Sequence, residues 1–240
     1  MLRGGWEQYE HLFQYHTDEK IAELAGKTVD AVRLKRIRLA NQPSTTAQAS
    51  YAVTVQSAEG FVGMQTAFFD LETTNLNGMM GRILAACSVD QFGIMTTLRG
   101  DKFPTTSEID DRLLAVTIRD ILEEQDVIVG WNSKLFDVPM LNARLMRWGE
   151  RPLRKDLKHI DLMYYARGQF MRIGSSKLDN VQKFFRSPNS KTPLDWDTWS
   201  LAGAGNKEAL DRVVEHCEAD CLVLRDVFAH LKQHITIVHR

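Results

Sequence analysis

Four acids in three short segments constrain the fold of this chain more than any other feature. Asp70 and Glu72 lie in FFDLETTNL, Asp137 in GWNSKLFDVPML, and Asp220 in EHCEADCLVLRDVF. The first segment reads as a strand, the second as a strand end running into a helix, and the third as part of a long helix. Alternate residues of a strand share a face, so Phe69 and Leu71 point to one side and Asp70 and Glu72 to the other. Two adjacent carboxylates repel and are costly to ionise together unless a cation sits between them. A fold that gathers all four acids can hold two divalent metal ions, and two metals can cleave a phosphodiester bond. Singly, each acid has a plainer use. Asp70 and Glu72 suit a solvated strand end, Asp137 complements the dipole of the helix it opens, and His216 with Asp220 suits a solvated helix flank.

The surrounding pattern alternates strands and helices. TAFFDLE is a predicted strand, and RILAACSV with GIMTTLR a hairpin around Asp90–Gly93. Residues 108–124 carry Leu114, Ile118, Ile121 and Leu122 at helical spacing. DVIVGW reads as a short buried strand, 137–148 as a helix ending at Gly149, and HIDLM as a strand. Ser176 to Asp179 has the form of a capping box for the helix KLDNVQKFF. Most irregular chain is expected over 187–206, and one long helix over 207–233. Its apolar stripe is Leu210, Val213, Val214, Cys217, Cys221, Leu224, Phe228 and Leu231, with His216 and Asp220 flanking it one turn apart. Such alternation favours an α/β layer fold.

Residues 1–42 read as a separate helical unit. Trp6–Tyr15 suits a first helix; Thr17 caps a second that stops at Gly26, and Thr28 caps a third. Two helices joined through a tight turn containing Gly form a helix-turn-helix. Between Lys27 and Arg38 stand five cations, including Arg33, Lys35, Arg36 and Arg38, against the single acid Asp30. Such an excess suits a phosphate backbone, or else a solvated face packed on a partner. The polar stretch NQPSTTAQAS reads as linker, while YAVTV is a short strand or ordered linker, so 43–63 is assigned to a linker and 64–240 to the main domain.

The net charge of -1 makes the chain as a whole no polyelectrolyte binder, so nucleic-acid contact must come from local patches. Three cysteines, Cys87, Cys217 and Cys221, are too few for a disulfide framework and form no C-x-x-C pattern. Cys217 and Cys221 lie on the apolar stripe and read as core residues. A zinc site of His216, Cys217 and Cys221 has the wrong spacing for a closed shell. With no leader-like apolar run and no membrane-length segment, the expected location is a reducing cytoplasm.

The three segments resemble the exonuclease motifs of the DEDD 3'→5' exonucleases, above all the exonuclease domains of family B DNA polymerases and their stand-alone relatives. D-x-E is Asp70–Glu72, N-x-x-x-F-D runs from Asn132 to Asp137, and Y-x-x-x-D runs from His216 to Asp220, with histidine where tyrosine is usual. HIDLMYYAR and SSKLDNV look like the connecting segments, and the likeness spans roughly 64–233. It implies a ribonuclease H-like mixed sheet flanked by helices, with two Mg²⁺ or Mn²⁺ ions held by Asp70, Glu72, Asp137 and Asp220. It also implies substrate contacts from Leu71, Thr73, Asn132 and Phe136, with His216 orienting a water or accepting its proton. The N-terminal unit resembles small Myb-like or homeodomain-like DNA-binding domains. The implied partner is a single-stranded DNA 3' end, with duplex DNA on the N-terminal unit. Because 240 residues leave no room for a polymerase domain, proofreading or repair would act in trans. A 3'→5' exoribonuclease of the same fold and a non-catalytic DNA-binding scaffold are the alternatives.

Overall fold

The computed structural model describes residues 18–40, 63–107, 109–167 and 171–235. The expected helix Trp6–Tyr15, the Thr17 cap and the 43–62 linker lie outside them. Contacts divide the chain into two units, Met1–Ala47 and Gln48–Arg240.

In the first unit, helices α1 (Asp18–Ala25) and α2 (Val29–Ala40) meet at Gly26, whose φ of +61° suits a residue without a Cβ. Thr28 caps α2: its Oγ1 accepts from the Ala31 N–H at 3.2 Å. Ile21, Ala22 and Val32 bury their side chains between the two helices. Two of the cations meant for a phosphate backbone are engaged locally. Arg36 Nε donates to Asp18 Oδ1 at 2.7 Å, and Arg33 reaches both Asp18 and Asp30.

The second unit is built on five strands, β1 (Thr66–Thr73), β2 (Ile83–Asp90), β3 (Met95–Arg99), β4 (Val127–Gly130) and β5 (Lys158–Asp161). Their order is β3-β2-β1-β4-β5. Strand β2 pairs antiparallel with β1 and β3 antiparallel with β2, while β4 pairs parallel with β1 and β5 parallel with β4. Helices α3 (Arg112–Glu123), α4 (Asp137–Arg147), α5 (Met163–Arg167), α6 (Leu178–Phe185), α7 (Trp196–Gly203) and α8 (Lys207–Leu231) complete the unit.

Strand alternation sorts the two faces as the sequence predicts. Phe68 of β1 joins Cys87, Val89, Val127, Val129 and Ile160 against Cys217, Cys221, Leu224 and Phe228 of α8. Phe69 and Leu71 turn to the other face, toward Ile118, Ile121 and Leu122 of α3. The apolar stripe of α8 is buried along its whole length. Each large apolar side chain so covered contributes about 1.5–3 kcal/mol.

Four sequence expectations change. The helix expected over 108–124 starts at Arg112, with Asp111 at the cap position and its carboxylate bound to Arg144 and Trp148 instead of the helix N–H groups. Strand β5 ends at Asp161, and Leu162 turns into α5. The capping box at Ser176 does not form: Lys177 takes the cap position, and Asp179 binds Gln182 and Lys183 instead. The stretch 187–206 holds α7, capped by Asp195 Oδ1 on the Thr198 N–H at 2.7 Å. Among the described residues, no helix is long and apolar enough to cross a membrane.

Candidate active site

Asp70 and Glu72 stand on the α8 side of β1, and Asp220 is buried on α8. Asp137 enters from the start of α4, where its Oδ1 accepts the Leu71 N–H at 3.1 Å. Strand, helix start and long helix thus bring all four acids into one site. Glu72, Asp137 and Asp220 are buried, while Asp70 is half-buried.

Burial raises the Asp70 carboxyl well above its ordinary value, and Asp137, Glu72 and Asp220 add repulsion in that order. Glu72 is pushed up to about 8 by burial and then by Asp220, against a hydrogen bond from Trp199 and the charge of Lys191. Asp137 rises to about 7, mainly through burial, although the Leu71 N–H works the other way. Among the described residues the inner oxygen of Asp220, Oδ1, is buried without a hydrogen-bond partner. Crowded carboxylates at mutual cost, and a buried acceptor left over, match a group of oxygen donors for a hard divalent cation.

One donor atom each from Asp70, Glu72 and Cys217 lies within 4.8 Å of the others. Cys217 is nonetheless placed as a core residue. It is fully buried, its Sγ donates to the Asp70 carbonyl at 3.4 Å, and burial raises its thiol well above the ordinary value. A protonated, soft thiol is a poor partner for a hard cation. Among the described residues, Asp137, Asp220, His216 and Cys221 join no group of donor atoms that close, so the two further acids stand at the edge of the cluster.

Three residues that sequence reasoning missed converge on the acids. Lys191 pairs with Asp220 Oδ2. Trp199 of α7 donates its indole N–H to Glu72 Oε2 at 3.0 Å. Asp161, fully buried at the end of β5, accepts the amide N–H groups of Asn132, Lys134 and Met163 at 2.9, 3.0 and 3.1 Å. It thereby holds the 131–136 loop, in which Asn132 adopts φ +58°. Only the Asp195 cap, followed by Asp197 in the first turn, signalled α7 in the sequence. Nothing local marked Lys191.

His216 is buried on α8 beside Asp220, with its Nε2 3.9 Å from Asp220 Oδ2. Its Nδ1 shares a 3.0 Å hydrogen bond with Thr192 Oγ1, and the Trp199 ring meets it edge-on at 5.9 Å. Burial lowers the imidazole below its ordinary value, against the pull of Asp220. Asn132 and Phe136 are half-buried on the loop before α4. Leu71 offers the site its backbone N–H only, since its side chain lies on the opposite face. Thr73, at the end of β1, bonds the Asn75 carbonyl at 2.9 Å.

A model of the RNase_H superfamily matches residues 67–232. Among solved structures, the chain is similar in fold to the family B DNA polymerase from the hyperthermophilic archaeon Pyrobaculum calidifontis. The two are 20% identical with a TM-score of 0.56, over 70% of this chain and 24% of the polymerase, so the chain spans about a quarter of that protein. No curated protein matches it.

Proposed function

The chain belongs to the RNase_H superfamily, and on that premise we propose that it is a metal-dependent 3'→5' exonuclease acting on DNA ends. The observation that carries this reading is the set of three carboxyl groups raised by burial and mutual repulsion around Asp220, one of whose oxygens has no partner.

Asp70, Glu72, Asp137 and Asp220 would hold two divalent ions, which supply an activated water and charge stabilisation at the leaving 3' oxygen. The remaining steps belong to the chain itself. Asn132, on the loop fixed by Asp161, bonds the terminal nucleotide, and Phe136 packs against its base or sugar, a contact that tolerates any base. His216 is neutral near pH 7 because burial lowers it, so its ring can accept a proton or orient a water. Thr192 sets the direction of that ring. Trp199 holds Glu72 in one orientation, and Lys191 balances charge beside Asp220.

The experiment uses strands labelled at the 3' or the 5' end, DNA and RNA in parallel, with Mn²⁺ or EDTA, for wild type and Asp70→Ala. Metal-dependent shortening from the 3' end of DNA, lost in the variant, is the expected outcome. Equal or faster shortening of RNA would turn the assignment to an exoribonuclease. No cleavage of either polymer would favour a DNA-binding scaffold.

The N-terminal unit, read as residues 1–42, would tether the nuclease to duplex DNA through the α2 cations. Lys35 is partly exposed on α2, and Arg33 and Arg36 would have to exchange Asp18 for phosphate. The Arg38 side chain lies outside the described ones. Removing residues 1–42 should weaken duplex binding and flatten its salt dependence. Unchanged binding at every salt concentration would refute the tether.

A further inference from the structure

On the sheet face turned away from α8, a cavity of about 580 Å³ opens beside α4 and β5. Its size falls in the range of small-molecule pockets, roughly 300–1,000 Å³. The buried side chains of Ile128, Leu153 and Leu157 supply an apolar inner surface. Lys134 and Lys155 are exposed at it, and Arg154 is half-buried. Among the described residues no acid lines the cavity.

Arg154 is held in place by the Gln125 carbonyl at 3.1 Å and by exposed Asp156 at 2.9 Å. An apolar interior with three cations around it matches a ligand that is apolar at one end and anionic at the other. A base with its phosphate is such a ligand.

The cavity also touches the loop that carries Asn132. Lys134 belongs to that loop and lines the cavity. Its neighbour Ser133 shares a 2.8 Å hydrogen bond with Nε2 of the buried His159, another lining residue. Asp161 binds the amides of both Asn132 and Lys134, so one buried carboxylate fixes the substrate loop and the cationic edge together.

We propose that this cavity binds one nucleotide, with its base against Ile128, Leu153 and Leu157 and its phosphate on Lys134, Arg154 and Lys155. The nucleotide is either a free mononucleotide or one unit of a bound strand. The cavity stands on its own lining and does not require the acids to be catalytic, so loss of nuclease activity and loss of this site are separate results.

The test is calorimetric titration of the full chain in EDTA with thymidine monophosphate, with inorganic phosphate and thymidine as fragment probes. Lys155 is exposed, so Lys155→Glu keeps the fold. Saturable binding, weakened about tenfold in that variant and retained in Asp70→Ala, is expected. Phosphate and thymidine alone should each bind more weakly than the nucleotide. No saturable binding, binding indifferent to Lys155→Glu, or phosphate binding as tightly as the nucleotide would overturn the proposal. A short thymidine strand separates the two sources: displacement of the mononucleotide places the cavity on the strand's path, and simultaneous binding makes it a site for free nucleotide.

Discussion

At Glu72 one indole N–H fixes a carboxylate that burial and Asp220 both disfavour as an anion. Donors that hold a metal-binding carboxylate in place typically contribute about 10–100-fold in metal affinity or activity. Trp199→Phe keeps an aromatic ring and removes the donor. It should weaken Mn²⁺ binding about tenfold in a calorimetric titration while leaving the metal-free melting temperature nearly unchanged. Unaltered Mn²⁺ affinity would show that Trp199 only packs. Lys191 acts at the other side of the site. Its ammonium is the cation beside Asp220, and Lys191→Met leaves that buried carboxylate without it. The metal-free protein should lose about 1–3 kcal/mol, and saturating Mn²⁺ should restore most of the loss. A melting temperature equally depressed with and without Mn²⁺ would contradict this exchange of cations.

At the scale of elements, the site depends on joints between segments far apart in sequence. Asp111, before α3, receives both Arg144 Nε and a terminal nitrogen at 2.8 Å, the Trp148 indole at 2.7 Å and the Ile83 N–H at 2.8 Å. Arg144 in turn bonds the Gly78 and Ile109 carbonyls at 3.1 Å. One buried pair therefore joins α3, α4, β2 and the loop that follows the Asp70–Glu72 strand. Removing one partner of a buried, hydrogen-bonded pair costs about 3–5 kcal/mol. Arg144→Met should show a loss of that size in urea unfolding. A loss below about 1 kcal/mol would mean the joint is dispensable. The end of β4 is equally tight. A Cβ on Gly130 would lie 2.2 Å from Ser133 Oγ, so the turn toward Asn132 closes only over glycine. At α7, the Arg82 guanidinium holds the Gly203 carbonyl at 3.0 Å, which ties the end of the tryptophan helix to the residues after β1.

For the whole molecule, the acid cluster links folding, protons and metal. Asp70, Glu72 and Asp137 all have carboxyl groups raised above their ordinary values, Asp137 to about 7 and Glu72 to about 8. A raised acid holds its proton more tightly when folded. Its contribution to stability is therefore full below the ordinary carboxylate range and lost as pH climbs through 7 and 8. The metal-free melting temperature should fall between about pH 4 and pH 8. Divalent ions displace those protons, so the gain on adding Mn²⁺ should grow over the same interval. Differential scanning calorimetry with EDTA or Mn²⁺ measures both, and a gain independent of pH would break the linkage.

The elements and the acids are legible in the sequence, because strand alternation and helical spacing are written in neighbouring residues. Phe69 and Leu71 inward, the buried stripe of α8 and Asp137 at a helix start all follow from that local periodicity. It also carried the resemblance, since the order of the three segments survives without knowledge of how they meet. The Ser176 capping box failed and α7 went unread because a cap is decided by which partner wins a side chain, not by spacing alone. Lys191, Trp199 and Asp161 reach the site from 29, 127 and 29 residues away along the chain. Only the tertiary structure could assign them. Burial turns such distant contacts into strong ones by removing the water that would otherwise screen every charge in the cluster.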